Sequence, residues 1–376
     1  MNYEVGILGG GLAGLSLSIR LAEAGLSVAL FEKQDYPFHR MCGEYLSLES
    51  LPYIKRLGVD PFAHGAQRID ELVLSAPSGR SLSQMLPLGG FGLSRYCLDS
   101  LLAERAKSLG VKLFTKTQVL DITSSEQHRH LIHTHNQGEV VVALAIGTHG
   151  KRSNIDAKLK RQFYSKNTPY MAVKHHIRIQ NFPSNQIALH NFKDGYCGFS
   201  RVEDGLYCLC YLTTRQNQKA FKTIKNMEQN LLSQNPFLKQ IFEEAEFVWD
   251  KPIVINEISF EKKTLHENSV LMCGDAVGMI TPLCGNGMSM ALHGSMLLAD
   301  LLLAEQAQAG RVVFSHQLAQ NYEKIWNKHF AMRLRVGRSI QRFFGSEKLS
   351  DYLVRFFSRT PMLGRQLIQL THGEAF

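Results

Sequence analysis

Two glycine-rich blocks, about 260 residues apart, restrict this chain more than anything else in it. The first places Gly9, Gly11 and Gly14 in a G-x-G-x-x-G pattern, between an apolar strand pattern at 3–8 and a helical pattern from Leu12. The second reads Cys273-Gly274-Asp275-Ala276-Val277-Gly278, followed by Pro282 and Gly285-Asn286-Gly287-Met288. Each glycine of the first block has a mechanical reason. Gly9 permits the tight strand-to-helix turn, Gly11 lets backbone approach a pyrophosphate, and Gly14 lets the helix pack close to the sheet. The pyrophosphate then rests on free N–H groups at the positive end of the helix.

The next strand pattern, 27–31, ends in Glu32, 18 residues past Gly14. An acid at about that offset accepts hydrogen bonds from adenosine ribose hydroxyls. It also rejects a 2′-phosphate, so the tightly held nucleotide is not NADP. In the second block, Asp275 follows a strand pattern at 270–273 and is placed for ribityl hydroxyls. Gly285 and Gly287 open a helix whose first N–H groups can face the flavin N1–C2=O edge. Reduced flavin is negative there, which a helix N-terminus stabilises.

The chain has 376 residues, 44% hydrophobic and 20% charged, which predicts two folded domains with ample core. Strand 3–8 follows Met1-Asn2 directly, so no secretory signal is expected, and Asp300 interrupts the apolar run at 297–303. Seven cysteines without a C-x-x-C pair predict reduced thiols, a cytoplasmic setting and no metal or iron–sulfur site.

Periodicity predicts interleaved domains. A nucleotide-binding domain spans 1–68, 95–168 and 260–310; a substrate domain, mostly β-sheet, spans 69–94 and 169–259; a helical region spans 311–376. Within the second, one helix is expected at about 219–232. Arg95 heads a helical pattern at 96–109 with Asp99 four residues on.

The set Gly9/Gly11/Gly14, Glu32, Arg95-x-x-x-Asp99, Gly274-Asp275 and Gly285-Asn286-Gly287 resembles the FAD-dependent monooxygenase superfamily. That superfamily holds aromatic hydroxylases, geranylgeranyl reductases and flavin-dependent halogenases. The resemblance implies the hydroxylase-type α/β fold, with a Rossmann-like FAD domain and a β-rich substrate domain over the flavin. It implies non-covalent FAD held by Gly9, Gly11, Leu12, Ala13, Gly14, Glu32, Lys33, Arg40, Arg95, Val119, Asp275, Gly285, Asn286, Gly287 and Met288. Val119 would present backbone to the adenine. NAD(P)H would serve as a transient electron donor, since the single glycine motif is taken by FAD.

Branch markers divide. Arg40-Met41-Cys42-Gly43-Glu44 resembles the C-G-E segment of the reductases, and Gly278 stands where many hydroxylases carry histidine. Tyr196-Cys197-Gly198-Phe199-Ser200 resembles the reductases' Y-x-W-x-F-P cavity motif, with Gly198 for tryptophan and Ser200 for proline. The hydroxylase D-G motif becomes His149-Gly150, and the halogenase W-x-W-x-I-P motif is absent. The leading expectation is an NAD(P)H-driven monooxygenase acting on a hydrophobic aromatic or polyketide-like molecule. The alternative is a reductase saturating C=C bonds of a lipid or isoprenoid; a third, of another class, is a non-catalytic flavin carrier or sensor. Tyr196, Phe199 and Cys42 are the candidate substrate-pocket residues. Cys42 reads more readily as a small buried packing residue, and His175, His176 and His190 as structural.

The net charge of +9 gathers late in the chain. Residues 321–365 hold ten basic residues against Glu323, Glu347 and Asp351, interleaved with Phe343, Phe344, Phe356 and Phe357. Such helices either pack with a solvated basic face or dock on an anionic membrane or an acidic carrier protein. No recognition motif supports nucleic acid.

Overall fold

The computed structural model describes residues 2–124, 129–341 and 346–376. Its first sheet is built on the strand Asn2–Leu8, which pairs in parallel with Val28–Phe31 and with Glu139–Gly147. Lys112–Phe114 extends one side and Val270–Met272 the other, both in parallel. Both faces are covered, one by Leu12–Glu23 and the helices packed on it, the other by the strand His130–Thr134. On that second face a Cβ on Gly6 would fall 2.6 Å from Ile132 Cδ1. These strands are therefore continuous apolar runs rather than alternating ones. Val28–Phe31 is buried at every position. The helices Leu12–Glu23 and Gly287–Ala309 lie together, joined by Ser16 Oγ to Ser295 Oγ at 2.6 Å and by Arg20 to Asp300 at 2.8 Å.

Gly287–Ala309 has 23 residues and mean hydropathy 1.4 over its most apolar window, so by length and composition it could cross a membrane. The sequence reading, which broke this run at Asp300, understated its length. Of that window 56% is buried inside the protein, as befits a core helix.

The second sheet orders its strands as Glu246–Phe247, Tyr170–Arg178, Tyr207–Thr214, Gly195–Arg201, Gln186–Phe192, Gln67–Ser75, Ser81–Gly92 and Tyr45–Ser47. Ile253–Ile258 also pairs with Tyr170–Arg178. The short strand Tyr45–Ser47, expected within the nucleotide-binding segment, belongs to this sheet through Ser81–Gly92. The two-residue side-chain period decides what each face does. Met171, Val173 and Ile177 join Cys197, Phe199, Leu209 and Tyr211 in a core beneath the helices at 224–244. Ala172, Tyr196 and Leu212 face the other way, toward Met279 and Leu283 of the second glycine block.

The expected helix at 219–232 is two, Arg215–Phe221 and Ile224–Asn230, and Pro236–Glu244 follows beyond it. Lys222 adopts φ +65°, which ends the first helix. Thr223 and Asn235 then cap the next two, each accepting a backbone N–H. The C-terminal region is helical as expected, in His316–Gln341, Glu347–Arg359 and Pro361–Thr371. Arg342, Phe343 and Phe344 of the basic, aromatic run lie outside the described residues.

Candidate FAD site and substrate face

The helix Leu12–Glu23 starts from Gly11 with no side-chain cap and no acid in its first turn. Its first N–H groups therefore have no helical partner and no capping side chain, an arrangement suited to an anion. Gly9 adopts φ +118°, and a Cβ there would fall 2.6 Å from the Thr148 carbonyl oxygen. A Cβ on Gly14 would fall 2.1 Å from the Gly9 carbonyl oxygen, so the close helix-to-sheet approach is real. Gly11 differs. Its nearest neighbour would be Arg95 Nη2 at 3.6 Å, leaving space where the pyrophosphate is expected. Leu12 and Ala13 are buried in the first turn.

Glu32, Arg40 and Arg95 converge beside this loop. Glu32 Oε2 accepts from Gly10 N at 3.0 Å and from Arg40 Nη2 at 2.8 Å. Oε1 accepts only from Gln34 N at 3.0 Å among the described residues, so it retains capacity for a ribose hydroxyl. Asp99, almost wholly buried, accepts from both arginines: Arg40 Nε at 2.8 Å and Arg95 Nε at 2.6 Å. Tyr36, missed in the sequence, donates its hydroxyl to the Gly10 carbonyl at 2.5 Å. Lys33 is exposed. Val119 lies close by, because Thr117 N donates to the Glu32 carbonyl at 2.9 Å; its own carbonyl accepts from Asn154 Nδ2 at 2.9 Å.

The second block touches the first. A Cβ on Gly274 would sit 2.8 Å from Ala13 Cβ. Asp275 is partly buried in a short 3-10 turn, and Gly285 takes φ +64° before the helix Gly287–Ala309. That helix also lacks a side-chain cap and an acid in its first turn. Asn286 is fully buried; Nδ2 donates to the Thr371 carbonyl at 3.0 Å, while Oδ1 has no protein hydrogen-bond partner among the described residues. Met288 is buried beside it. Two uncapped helix ends, an open Gly11 and an orphaned Asn286 oxygen suit FAD, and these residues would hold it.

Sequence reasoning also missed Lys263. Its ammonium, nearly buried, donates to the carbonyls of Lys151 at 2.7 Å and Asp275 at 2.8 Å. Burial lowers its pKa from 10.5 to about 8 despite Asp275 and Asp156 nearby. Below about pH 8 both folded and unfolded chains hold the proton, and the penalty is fully present. Between about pH 8 and 10.5 the unfolded chain binds more protons, so this residue makes stability rise with pH. Lys263→Met should remove that rise in denaturant midpoints measured across the window; an unchanged slope would refute the assignment.

The substrate side corrects one expectation. Tyr196 faces the flavin block, in a cluster with Ala172, Leu212, Ile258, Met279 and Leu283. Phe199, three residues on, points through the sheet to the opposite core, packed against Phe182 at 4.5 Å and Tyr207 at 4.9 Å. An odd spacing on a strand cannot place both on one wall. Gly198 shares the Tyr196 face and meets only Cys210 O at 3.5 Å and Leu189 at 3.8 Å. Cys42 is partly buried and packs on the main core, its carbonyl accepting from Cys208 Sγ at 3.4 Å.

Glu44, of the C-G-E segment, ties the two domains together. With φ +57° and no exposure, it accepts from Arg95 N at 2.8 Å, Lys174 Nζ at 2.5 Å and His176 Nε2 at 2.6 Å. Burial pushes its carboxyl up, but Lys174 and His176 overcome this and hold it down at about 2. His39, Glu44 and His176 could group around a cation within 4.8 Å, yet Lys174 already neutralises the carboxylate. The other histidines have partners as well: His175 on Glu228 at 2.9 Å, His190 on Ser75 at 2.8 Å. His149, in the hydroxylase acid's place, lies 3.0 Å from Asp156, which also accepts from Arg161.

A groove of about 1110 Å³ opens outside the loop 277–279, bounded by 160–166, 261–269 and the helix His316–Gln341. Lys160, Lys166, Lys262, Arg335 and Arg338 contribute to its lining, and Glu261, Glu267 and Glu323 are its acids. Met279 lines the groove and also belongs to the Tyr196 cluster.

The chain belongs to the FAD binding domain family, which matches residues 2–314. It is an FAD-dependent oxidoreductase by family. It is 26% identical over 347 residues to digeranylgeranylglycerophospholipid reductase 1 of Methanosphaera stadtmanae, covering 86% of this chain and 80% of that protein. To geranylgeranyl diphosphate reductase of Synechocystis sp. it is 25% identical over 374 residues, covering 92% and 86%. Conditioned medium factor receptor 1 of Dictyostelium discoideum is 22% identical, covering 91% and 70%. Among solved structures, a geranylgeranyl bacteriochlorophyll reductase-like protein from Thermoplasma acidophilum aligns with TM-score 0.79 at 19% identity, over 95% of this chain and 91% of that one. A probable FAD-dependent monooxygenase of Pseudomonas aeruginosa, PqsL, aligns with TM-score 0.72 at 15% identity, over 93% and 99%. The flavin-dependent brominase Bmp2 aligns with TM-score 0.78 at 17% identity, over 99% and 93%. These structural likenesses show a shared hydroxylase-type fold and nothing finer.

Proposed function

We propose that this protein is an FAD-dependent reductase that saturates C=C bonds in an isoprenoid or other lipid carrying an anionic head. The observation that carries the reading is the junction at Met279, where a basic groove meets the apolar Tyr196 cluster. An amphiphile matches that pair of surfaces better than a compact aromatic does. Gly198, with only ordinary contacts for a Cβ on the Tyr196 face, replaces the tryptophan of the reductase-type motif, and that departure counts against a long isoprenoid. The names of the curated relatives, geranylgeranyl diphosphate reductase among them, support the reductase class.

FAD, once reduced, supplies a hydride equivalent; the protein must bind the alkene and hold a proton. Tyr196 is the candidate for the second task, because its strand turns it toward Met279 and Leu283 of the second glycine block. Burial raises its phenol above the ordinary pKa, so it carries its proton. Reducing equivalents come from NAD(P)H bound transiently, since the chain has a single G-x-G-x-x-G unit. The second reading, a monooxygenase, is favoured by the altered cavity motif, with Gly198 for tryptophan and Ser200 for proline.

The two separate in one experiment. Reduced enzyme is given geranylgeranyl diphosphate, anaerobically and then with labelled O₂. The reductase yields a hydrogenated product without oxygen, and Tyr196→Phe slows turnover while FAD binding holds. Substrate-dependent O₂ uptake with one labelled oxygen in the product, and no anaerobic hydrogenation, would establish the monooxygenase instead.

A further inference from the structure

The last two helices carry a surface that the chemistry of the site does not use. Glu347–Arg359 packs on the second sheet through Ser350, Leu353, Val354 and Phe357, all buried or half-buried. Its outward stripe, at helical spacing, is Lys348, Tyr352, Arg355, Phe356 and Arg359. On a solvated face large apolar side chains are ordinarily scattered singly. Here Tyr352 is 63% exposed and Phe356 38%, with their rings stacked 6.3 Å apart. Pro361–Thr371 continues the pattern: Met362 is 75% exposed, Leu363 46% and Leu370 53%, beside the exposed Arg365. That helix contains no acidic residue, and Asp351 of the preceding one accepts a hydrogen bond from the Ser78 hydroxyl.

We propose that the outer face of Glu347–Arg359 and Pro361–Thr371 is a docking surface for an anionic lipid bilayer. Charge and apolarity select this occupant together. The arginines and lysine meet lipid phosphates while their stems lie along apolar surface, and Tyr352, Phe356, Met362, Leu363 and Leu370 enter the acyl boundary. An acidic protein partner would satisfy the cations but would need a matching apolar surface for side chains spread over two helices. The face is fixed to the body of the enzyme. Thr371 accepts from Asn286 at the start of the flavin-block helix, and Phe376 N donates to the Glu49 carbonyl at 3.1 Å. Docking therefore orients the whole molecule, and it holds whichever reaction the site performs.

Flotation of the FAD-loaded full-length protein tests this, with vesicles of phosphatidylcholine alone or mixed with phosphatidylglycerol. Binding is expected on the mixed vesicles, weakening with salt. Arg355→Gln, Arg359→Gln and Arg365→Gln should each lower the partition coefficient about fivefold. Tyr352→Ser with Phe356→Ser and Met362→Ser should abolish insertion, with bound FAD and the thermal midpoint unchanged to show that folding is intact. Equal partition of wild type and variants, or no preference for the anionic vesicles, overturns the proposal. So does a stable dimer in solution that the serine variants convert to monomer, because the face would then be a self-contact.

Discussion

Glu44→Ala should be among the most damaging single substitutions in the chain. Breaking a buried ion pair by removing one partner costs about 3–5 kcal/mol, because the other charge is left uncompensated. Lys174 is that charge, and it is wholly buried. Without Glu44 it keeps, among the described residues, the Arg40 carbonyl at 3.1 Å and the Trp249 ring face at 5.9 Å, neither of which carries a negative charge. His176 and the Arg95 N–H lose an acceptor at the same time. Urea unfolding should show the loss, and apparent FAD affinity should fall with it, since Arg95 heads the helix that carries Asp99. Glu44→Ala combined with Lys174→Met should recover much of the stability, because the orphaned ammonium is gone. If the double variant is no more stable than the single one, buried charge is not what the carboxylate is for.

The clamp explains what the sequence could and could not show. The glycine blocks and Glu32 were legible because their constraints are local: a turn, a close approach, an acid at a fixed offset. The sheet faces were legible in principle. Parity along Gly195–Arg201 separates Tyr196 from Phe199, and grouping them by motif alone misplaced Phe199. Glu44 was visible as part of C-G-E, but its partners lie 130 and 132 residues away on the strand Tyr170–Arg178. Nothing in local pattern forecasts such a pairing. Lys263 is a sharper case. It sits in a polar run, Glu261-Lys262-Lys263-Thr264, that reads as a solvated turn, and only the fold buries it against Asp275. Lys222 shows the converse, a backbone break inside a helical pattern whose residue type gave no warning.

The nucleotide end makes the second large prediction, in binding rather than folding. Glu32→Ala should weaken FAD about ten- to 150-fold, the equivalent of losing a charge-assisted hydrogen bond of about 1.5–3 kcal/mol. Two terms contribute. The Oε1 atom no longer accepts from the ribose, and the glycine turn loses the anchor between Glu32 Oε2 and Gly10 N. Arg40 keeps Asp99, so it should stay in place and the protein should remain folded. Glu32→Gln separates the terms, since an amide oxygen can still accept from the ribose but carries no charge toward Arg40. Flavin fluorescence quenching on titrating apoprotein with FAD gives the constants, and the glutamine variant is expected between wild type and alanine. Alanine binding FAD as tightly as wild type would mean that the adenosine ribose lies elsewhere, and the reading of the first glycine block would fail with it.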